Sequence, residues 1–591
     1  MVVVYILIFI LVLGLVVCFH ELGHYFWAKK NGILVNEFAF GMGPKIVSKK
    51  KGETYWSIRA FPIGGFCAMA GEEIGAPLLS EGDQVKLVFD DNGHVSKIVM
   101  TLDLEQYKDI EITTVEKADL YGENMAPLYI NDYEVNRDAV VVVKKEENQI
   151  APHERNFFAK GVWQRFMVCL GGPLNNFILG LFVFLLMAFI MGVPNYKTNK
   201  ISEFNGIAAT ESDVLMKGDE IIKIGDYEIK GDLGFVQDSN KEGTISYALA
   251  HTHTRALFIT YIRNGETKNS KVYAQYAFNS LGFMSYYKDS DASGKGIEIN
   301  DSNVNDVIVI TETKAALGGT SKTKAYQADN GLRNGDIIAE IRYFGDNEVE
   351  YTTYQINSWD DLINFATGVT NPDVLKGGNI SVGFIRDGGD LDYTGQYQIY
   401  SEKLMASQGY SSFQEILGVS TNTKFSFFGS IWNGIKYFGK AAGIIFSTLW
   451  LLITSREVGI KDMGGFITIL NQTASYAAGG FTSLLYFIGL LSVNLGIINL
   501  LPIPALDGGR ILFLFIEGIT RKKVNPKVEA IIENVVFWLL MALIVFVLVM
   551  DVLRLVVQLG WPIIYLYNKG KKIILKKVKN SCWHCYTVMV E

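Results

Sequence analysis

The chain has 591 residues and a formal net charge of -7, and 49% of its residues are hydrophobic while 19% are charged. This length exceeds one ordinary domain, and so low a charged fraction is typical of a protein that is partly embedded in a membrane. The acidic balance argues against nucleic acid as the main partner. Five scattered cysteines are too few for a disulfide framework.

An apolar run that begins at Val2 predicts a first membrane helix, and the end of that run carries His20-Glu21-Leu22-Gly23-His24. The two histidines are one helical turn apart on one face and can hold one metal ion, and Glu21 can accept a proton from water. Ionisable groups are costly in a bilayer, so this placement indicates function rather than chance. The run lacks a basic start and a small-residue cleavage site, so we interpret it as a retained helix and not a signal peptide.

The residues after this helix predict its orientation and a β-rich region. Basic residues follow it, which predicts that this flank faces the cytoplasm and the N-terminus faces out. Residues 36–45 and 54–69 predict two strands, and glycine pairs such as Gly64-Gly65 permit tight turns or close backbone approach. A strand-rich insertion continues to about residue 150, where Asn92-Gly93 indicates a hairpin turn. We interpret this insertion as a small structural β module.

The middle of the chain predicts a second span and then a long soluble region. The span opens with Gly172-Pro173-Leu174-Asn175-Asn176 and runs to about Val193. From about 196 to 420 the sequence has short strands and Gly/Asp/Asn turns. It also contains an internal repeat, because Leu215-Met-Lys-Gly-Asp-Glu-Ile-Ile222 recurs as Leu332-Arg-Asn-Gly-Asp-Ile-Ile-Ala339. Two copies of one small β-rich domain explain this pattern.

The C-terminal part predicts two more spans. Residues 426–453 are apolar but carry Lys436 and Lys440, which fits either a helix on the membrane surface or a further span, and we favour the surface. The third span ends near Leu506 and the fourth covers about 535–559. This topology puts the repeats and the C-terminus outside, although the basic tail conflicts with that placement. Cys582 and Cys585 in the tail form a lone CxxC, which stays unassigned.

Asp507 is the candidate for the third metal ligand, because a catalytic zinc site needs three protein ligands and leaves one position for water. It is the one acid in and just after the apolar stretch from 481 to 506. Pro502 and Pro504 predict a break in the helix there, and Gly508 and Gly509 are expected to let the carboxylate approach a neighbouring helix. The alternative is that Asp507 only caps the next helix.

These motifs together resemble the site-2 protease family of intramembrane zinc metalloproteases, most closely its bacterial members that act in regulated intramembrane proteolysis. The resemblance is carried by HELGH, NEFAFGMGPK, PIGGFCAMAGE, GGPLNN and NLGIINLLPIPALDGG, and it covers about residues 1–560. It implies Zn²⁺ as cofactor, with His20, His24 and Asp507 as ligands and Glu21 as general base. It further implies substrate contacts from five residues, namely Gly64, Gly65, Asn494, Pro502 and Pro504.

The resemblance also implies a fold class and a division of the chain. The expected fold is a polytopic α-helical membrane protein of about four transmembrane helices with an intramembrane β-hairpin, a β-rich cytoplasmic insertion and two PDZ-like extracytoplasmic domains. The spans are placed at 1–30, 170–194, 482–507 and 534–560. The other parts are the hairpin region 31–83, the insertion 84–160, the PDZ-like domains 196–290 and 291–420, the membrane-surface region 425–480 and the basic tail 561–591.

The function implied is cleavage of single-span membrane proteins, such as anti-sigma factors and remnant signal peptides, in the bacterial cytoplasmic membrane after a first external cut. The partners expected are these substrates and the lipid bilayer, with no nucleic acid. Two alternatives remain open. One is a zinc-binding membrane scaffold without protease activity, against which the intact Glu21 argues. The other is a transporter, against which four spans and a large soluble insert argue.

Overall fold

The structure, a computed structural model, describes residues 2–71, 79–143, 146–210, 214–252, 254–286, 296–314, 320–345, 349–454, 463–522, 524 and 526–558. The basic tail 561–591 and its CxxC lie outside the described residues. The helices are α1 Val2–Lys30, α2 Val162–Met191, α3 Ile245–Thr252, α4 Lys324–Gln327, α5 Trp359–Ala366, α6 Glu402–Ser407, α7 Phe427–Thr454, α8 Phe466–Ala478, α9 Phe481–Asn499, α10 Asp507–Thr520 and α11 Pro526–Gln558. The chain divides into two units, Met1–Phe184 with Ser483–Ile544, and Leu185–Thr482 with Val545–Glu591.

Three apolar helices of the first unit pack side by side in alternating directions. Helix α2 crosses α1 closely, because a Cβ added at Gly171 would lie 2.6 Å from the carbonyl oxygen of Gly23, and Asn175 donates to the carbonyl of Phe19. Further along, α2 packs against α9 in the same reversed sense. These contacts pair Phe177 with Gly496 and Phe184 with Gly489. Helices α1 and α9 therefore run parallel, and both are antiparallel to α2.

Residues 35–69 form two long strands, β1 Val35–Lys51 and β2 Thr54–Met69, as the sequence predicts. Both strands are bent, so the two halves of each lie in the sheet as separate strands. Phe38, in the first half of β1, pairs with Cys67 on one side and with Trp56 on the other. Trp56 in turn pairs on its far side with Lys49, in the second half of β1. The segment 65–69 is thus an outer edge of this sheet, beside α1. Its polar anchor is Glu37, which accepts hydrogen bonds from Arg59 at 2.8 and 2.9 Å.

The insertion is a mixed sheet with its own hydrophobic core. Its strands are β3 Gln84–Phe89, β4 Val95–Val99, β5 Ile112–Thr114, β6 Ala118–Asp119, β7 Leu128–Ile130, β8 Tyr133–Val143 and β9 Glu146–Gln149. The order is β5-β3-β4-β8-β7-β6, and β9 pairs with β8. The predicted hairpin with Asn92-Gly93 at its turn is present as β3 and β4. Strand β6 lies at one end of the order, which leaves one side of its backbone outside the sheet.

The second unit contains the two predicted repeats. The strands are β10 Val193–Pro194, β11 Ile201–Phe204, β12 Ile207–Ala208, β13 Glu220–Ile224, β14 Tyr227–Glu228, β15 Ala256–Arg263, β16 Glu266–Tyr273, β17 Gln275–Phe278, β18 Phe283–Ser285, β19 Val309–Ile310, β20 Glu312–Lys314, β21 Thr320–Lys322, β22 Ile337–Gly345, β23 Thr352–Gln355, β24 Gly378–Ile385, β25 Leu391–Tyr393, β26 Tyr397–Ile399, β27 Phe413–Ile416, β28 Val419–Thr421 and β29 Thr423–Lys424. Both copies share the order strand, short strand, helix, strand, strand. One sheet runs β12-β16-β15-β13-β14 and the other β23-β22-β24-β25.

An aspartate in the repeated Gly-Asp turn performs the same task in both copies. Asp219 accepts from the backbone of Met216 and from Arg263, both through Oδ2 at 2.7 and 2.6 Å. Asp336 accepts from the backbone of Arg333 and from Arg386, both at 2.7 Å. Each aspartate is almost fully buried, at 2% and 0% exposure. The repeat in the sequence is therefore a repeat in structure, and one hydrophobic cluster contains side chains of both copies.

Helix α7 contacts the end of α2 and strand β10 near its own start, and the repeat region near its end. Near its start, Gly429 packs against Val193 beside the β10–β29 pair. Near its end, Ser447 donates to the carbonyl of Ser407, and Gln408 donates to Thr448 at 2.6 Å. The surface placement of α7 stays a prediction.

Five helices among the described residues are long and apolar enough to cross a membrane, one more than the four predicted. The fifth is α7, whose most apolar window has a mean hydropathy of 1.4, the lowest of the five. Because α2 and α9 are antiparallel, the end of α2 and the start of α9 lie on the same side of the membrane. If α7 crossed the membrane between them, a second crossing would be needed to bring the chain back. Helix α8, with 13 residues, is shorter than the about 20 residues that a crossing requires. The number of spans stays a prediction.

Candidate metal centre

Helix α1 presents two imidazoles to one point. His20 and His24 are 7% and 8% exposed, and their Nε2 atoms lie 3.2 Å apart. Nδ1 of His24 lies 2.9 Å from the carbonyl oxygen of Val168 in α2, which is an acceptor, so this nitrogen carries the ring proton. The lone pair of His24 is therefore on Nε2, directed toward His20. Glu21 lines the same cavity as both histidines.

Asp507 reaches this point from the other end of the sequence. Helix α9 ends at Asn499, the segment 500–506 is irregular, and α10 begins at Asp507, so the predicted helix break is present. Oδ2 of Asp507 lies 3.2 Å from Nε2 of His20 and 3.5 Å from Nε2 of His24. The residue before α10 is Leu506, and no side-chain hydrogen bond caps this helix. The alternative role of Asp507 as a simple cap is therefore not the one it has here.

The two glycines after Asp507 allow a close contact, but with a different neighbour than the helix that the sequence analysis expects. A Cβ at Gly508 would overlap the carbonyl oxygen of Leu501, and one at Gly509 would lie 2.6 Å from Cα of Pro504. The first turn of α10 thus packs on the backbone of the irregular segment and not on a neighbouring helix. Ala505 in this segment has φ of +77°, a left-handed conformation that is strained for a residue with a Cβ. The tight turn returns the chain so that Asp507 faces the histidines.

The donor set fits a metal ion. The three ligand atoms of His20, His24 and Asp507 lie within 4.8 Å of one another. Oδ2 of Asp507 is buried, and it has no hydrogen-bond partner among the residues that the structure describes. The imidazole nitrogens and the carboxylate oxygen can lie this close only with a shared proton or a cation between them, and a metal ion is the cation that all three can bind at once. Two histidines and one carboxylate are also a ligand set of catalytic zinc sites.

Helix α2 surrounds the histidines with groups from the GGPLNN motif, to which the sequence analysis assigns no role at the metal. A Cβ at Gly172 would overlap Nε2 of His24 and lie 2.7 Å from Cε1 of His20, so only glycine fits here. The side-chain amide of Asn176 lies 3.2 Å from Nδ1 of His20. Asn176 is fully buried, and its Oδ1 has no hydrogen-bond partner among the described residues. These roles need the crossing of two helices about 150 residues apart, which spacing alone cannot reveal.

A cavity of about 1360 Å³ opens beside these residues. Its wall includes Glu21, the two histidines, Asp507 and residues 64–71, which contain the edge segment 65–69 of the hairpin sheet. Gly65 brings this edge close to the site, since a Cβ there would lie 2.8 Å from the carbonyl oxygen of Ala39 and 3.4 Å from Cγ of Glu21. The predicted substrate contacts Gly64 and Gly65 thus lie on the wall of the cavity.

The other predicted substrate contacts lie elsewhere. Asn494, Pro502 and Pro504 are not among the residues that line the cavity in the described part of the chain. Asn499, which the sequence analysis does not single out, lines the cavity, and its Nδ2 lies 3.3 Å from Nε2 of His20. Five helical residues rotate the side-chain direction by about 140°. The two asparagines therefore lie on different faces of α9.

The chain is similar in sequence to known metalloproteases over most of its length. A family model described as peptidase family M50 matches residues 8–543. The chain is similar to a protein named zinc metalloprotease RasP from Bacillus licheniformis, with 29% identity over 556 residues, which is 93% of this chain and 98% of the relative. A protein of that name from Oceanobacillus iheyensis is 28% identical over 554 residues, covering 93% and 98%. Putative zinc metalloprotease SA1105 from Staphylococcus aureus is 27% identical over 537 residues, covering 89% and 93%.

Proposed function

The chain belongs to peptidase family M50, and from this premise we propose that it is an intramembrane zinc endopeptidase that cuts single-span membrane proteins after a first cut outside the membrane. The observation that carries the proposal is the convergence of His20, His24 and Asp507 at the end of an apolar helix. Such groups are expensive in a bilayer and are retained there for function. The expected location is the cell membrane, in which the protein is a multi-pass protein.

Three side chains would hold the zinc ion, through Nε2 of His20, Nε2 of His24 and a carboxylate oxygen of Asp507. Bound there, zinc would lower the pKa of a coordinated water toward neutrality and polarise a carbonyl oxygen. Glu21 is the general base: it takes the proton from the attacking water and returns it to the leaving amine. In this proposal the amide of Asn499, which lines the same cavity, donates to a substrate carbonyl.

A membrane helix must unwind before a protease can attack it, because its peptide groups are hydrogen-bonded to one another. The edge segment 65–69 offers a replacement, since a strand added there would pair with the hairpin sheet. This segment pairs with residues 35–40 on one side and borders the cavity on the other. The proposal is that substrate binds as an extended strand along this edge, with its scissile carbonyl beside Glu21.

The two repeats act as the gate in this proposal. They resemble PDZ domains in sequence, and we assign them to the outer side, where they would exclude substrates whose external domain is still attached. Because buried side chains of both copies share one hydrophobic cluster, they are best removed together. Deletion of about 200–420 should permit cleavage of full-length substrates. Unchanged cleavage after this deletion would argue against a gate.

The decisive experiment measures cleavage of a single-span model substrate by purified wild type, Glu21→Gln and Asp507→Ala, with bound zinc quantified in each. Glu21→Gln should keep zinc and lose cleavage, since the base is not a ligand. Asp507→Ala should lose both. The alternative function, a zinc-binding scaffold that uses its repeats, predicts that wild type binds zinc and cuts nothing, even without residues 200–420.

A further inference from the structure

The insertion predicted as a structural module shares its surface with the metal centre. The cavity that contains Glu21 and Asp507 is also lined by Ala118, Asp119 and Leu120, and by Asn148 and Gln149. Ala118 and Asp119 form strand β6, and Leu120 follows it. Asn148 and Gln149 are the last two residues of strand β9. One continuous space therefore extends from the catalytic residues to the insertion.

The insertion is held against the hairpin by direct bonds. The hydroxyl of Tyr55 accepts from the backbone nitrogen of Glu147 at 2.9 Å and lies 3.1 Å from its carbonyl oxygen. Lys45 donates to Glu146 at 2.8 Å, and Lys50 donates to the carbonyl oxygen of Glu147 at 2.8 Å. Strand β9 thus lies at a fixed position relative to the hairpin. Asn148 and Gln149, which come next, are held at the wall of the cavity.

This side of the cavity offers a negative charge and an open strand edge. Oδ1 of Asp119 accepts from the backbone nitrogens of Tyr121 and Gly122 at 2.8 and 2.9 Å, which orients the carboxylate. Oδ2 has no hydrogen-bond or ion-pair partner among the described residues. Strand β6 pairs only with β7 within the part of the chain that the structure describes, so its other edge is open. An extended peptide can therefore meet both a backbone edge and a carboxylate here.

The charge of the segment that would enter follows from membrane physics. The flank after α1 is predicted to face the cytoplasm, so the insertion lies on that side of the catalytic residues. The cytoplasmic flanks of membrane helices carry an excess of lysine and arginine. Once a substrate helix is unwound, its cytoplasmic flank is the part nearest to Asp119. A carboxylate at this position complements that flank and repels an acidic one.

We propose that the insertion is a substrate-binding element, in which Asp119 binds the basic cytoplasmic flank of the substrate chain. This inference rests on the proposed function and deepens it, because it assigns a second binding region and a charge preference to the same cavity. The occupant is the substrate's own chain in extended form, and the selected feature is a lysine or arginine a few residues beyond the scissile bond.

The test uses full-length protein and three single-span substrates that differ only in the cytoplasmic flank, which carries lysines, glutamines or glutamates. The quantity compared is the ratio of kcat/KM between the lysine and glutamine substrates. Wild type should favour lysine, and Asp119→Asn, which keeps Oδ1 as acceptor for the turn, should lower the ratio about five- to tenfold. Asn148→Lys should invert the preference toward glutamate, and Asn148→Asp should strengthen the preference for lysine.

Glu105→Lys is the matched control, because this side chain belongs to the insertion, is 90% exposed and does not line the cavity. Its ratio should equal that of wild type. A ratio that is the same in wild type, Asp119→Asn and both Asn148 variants would overturn the inference while leaving the protease intact. A wild type that cuts none of the three substrates would instead overturn the proposed function. Ratios are unaffected by a partial loss of folded protein, so a poorly folding variant still gives an answer.

Discussion

The side-chain amide of Asn176 faces Nδ1 of His20 at 3.2 Å, while Nε2 of the same ring faces Asp507 at 3.2 Å. When a histidine binds metal through Nε2, its Nδ1 carries the proton and needs an acceptor. Rotation of the Asn176 amide by 180° brings Oδ1, which is buried without a partner, to that nitrogen. Asn176 is thus placed to hold His20 in the metal-binding tautomer.

Replacement of Asn176 should weaken zinc binding. Removal of a partner that orients a metal-binding histidine typically costs 10- to 100-fold in affinity, so we expect Asn176→Ala to lose zinc to a chelator at about 10- to 100-fold lower concentration. Asn176→Asp keeps an acceptor for Nδ1 and should restore most of the affinity. The measurement is zinc content against chelator concentration.

The neighbouring Asn175 provides the control, since its amide donates to the carbonyl of Phe19 and does not face a histidine. Asn175→Ala should retain zinc as wild type does. Equal chelator sensitivity of the Asn176→Ala and Asn176→Asp variants would contradict the assigned role.

A methyl group at position 172 should displace the histidines. A Cβ there would overlap Nε2 of His24, whose ring is fixed by the carbonyl of Val168, so the ring cannot simply rotate away. Overpacking of this kind costs about 1–3 kcal/mol, and here it falls on the metal ligands. We expect Gly172→Ala to lose bound zinc and cleavage. Gly439→Ala in α7, where a Cβ meets no atom within 4 Å, should change neither. A Gly172→Ala protein with full zinc content would refute this prediction.

The buried aspartates of the two repeats should dominate local stability. Asp336 is fully buried and accepts from Nε and Nη2 of Arg386 and from the backbone nitrogen of Arg333, so its replacement removes the acceptor of three donors. We expect Asp336→Ala to lower the free energy of unfolding of the repeat region by about 3 kcal/mol, and Asp219→Ala to do the same. Denaturant-dependent proteolysis of residues 196–424 within the full-length protein measures this.

An exposed pair serves as comparison. Asp373 and Lys376 are 62% and 79% exposed, and surface pairs contribute less than about 1 kcal/mol. Asp373→Ala should therefore shift the proteolysis midpoint very little. Similar shifts for Asp373→Ala and Asp336→Ala would show that burial does not set the size of the effect.

The stability of the repeat region should fall as pH rises. Burial, reinforced by the nearby carboxylate of Asp360, raises the pKa of Glu415 to about 8, whereas an unfolded glutamate has a pKa of about 4.3. The folded state binds this proton more tightly, so stability is lost between about pH 4.3 and 8, by at most about 1.4 kcal/mol per pH unit. Tyr276, directly opposite on β17, also faces this group.

The variant Glu415→Gln isolates this contribution. It should flatten the pH dependence of the unfolding midpoint of residues 196–424 between pH 5 and 8, whereas Glu402→Gln, at an exposed position, should leave the dependence as in wild type. A slope that persists in Glu415→Gln would assign the dependence to another group.

The sequence by itself was enough to predict the metal ligands, the general base, the hairpin and the apolar helices. Each of these depends on a local property: two histidines four residues apart share a helix face in any context, and a run of apolar residues is long enough to span or it is not. Asp507 also needed no structure, because a metal with two ligands requires a third and the surrounding stretch carries no other acid.

Tertiary structure alone decided which other residues meet at the site. Asn176, Gly172 and Asn499 lie at the histidines because α1, α2 and α9 cross there, and no spacing within one helix encodes a crossing. The same holds for Asp119, which is about 100 residues from Glu21 along the chain yet lines its cavity. Packing between elements that are distant in sequence depends on the summed shape of many side chains. A sequence motif indicates which side chains can perform the chemistry, and only the packed structure shows which residues surround them.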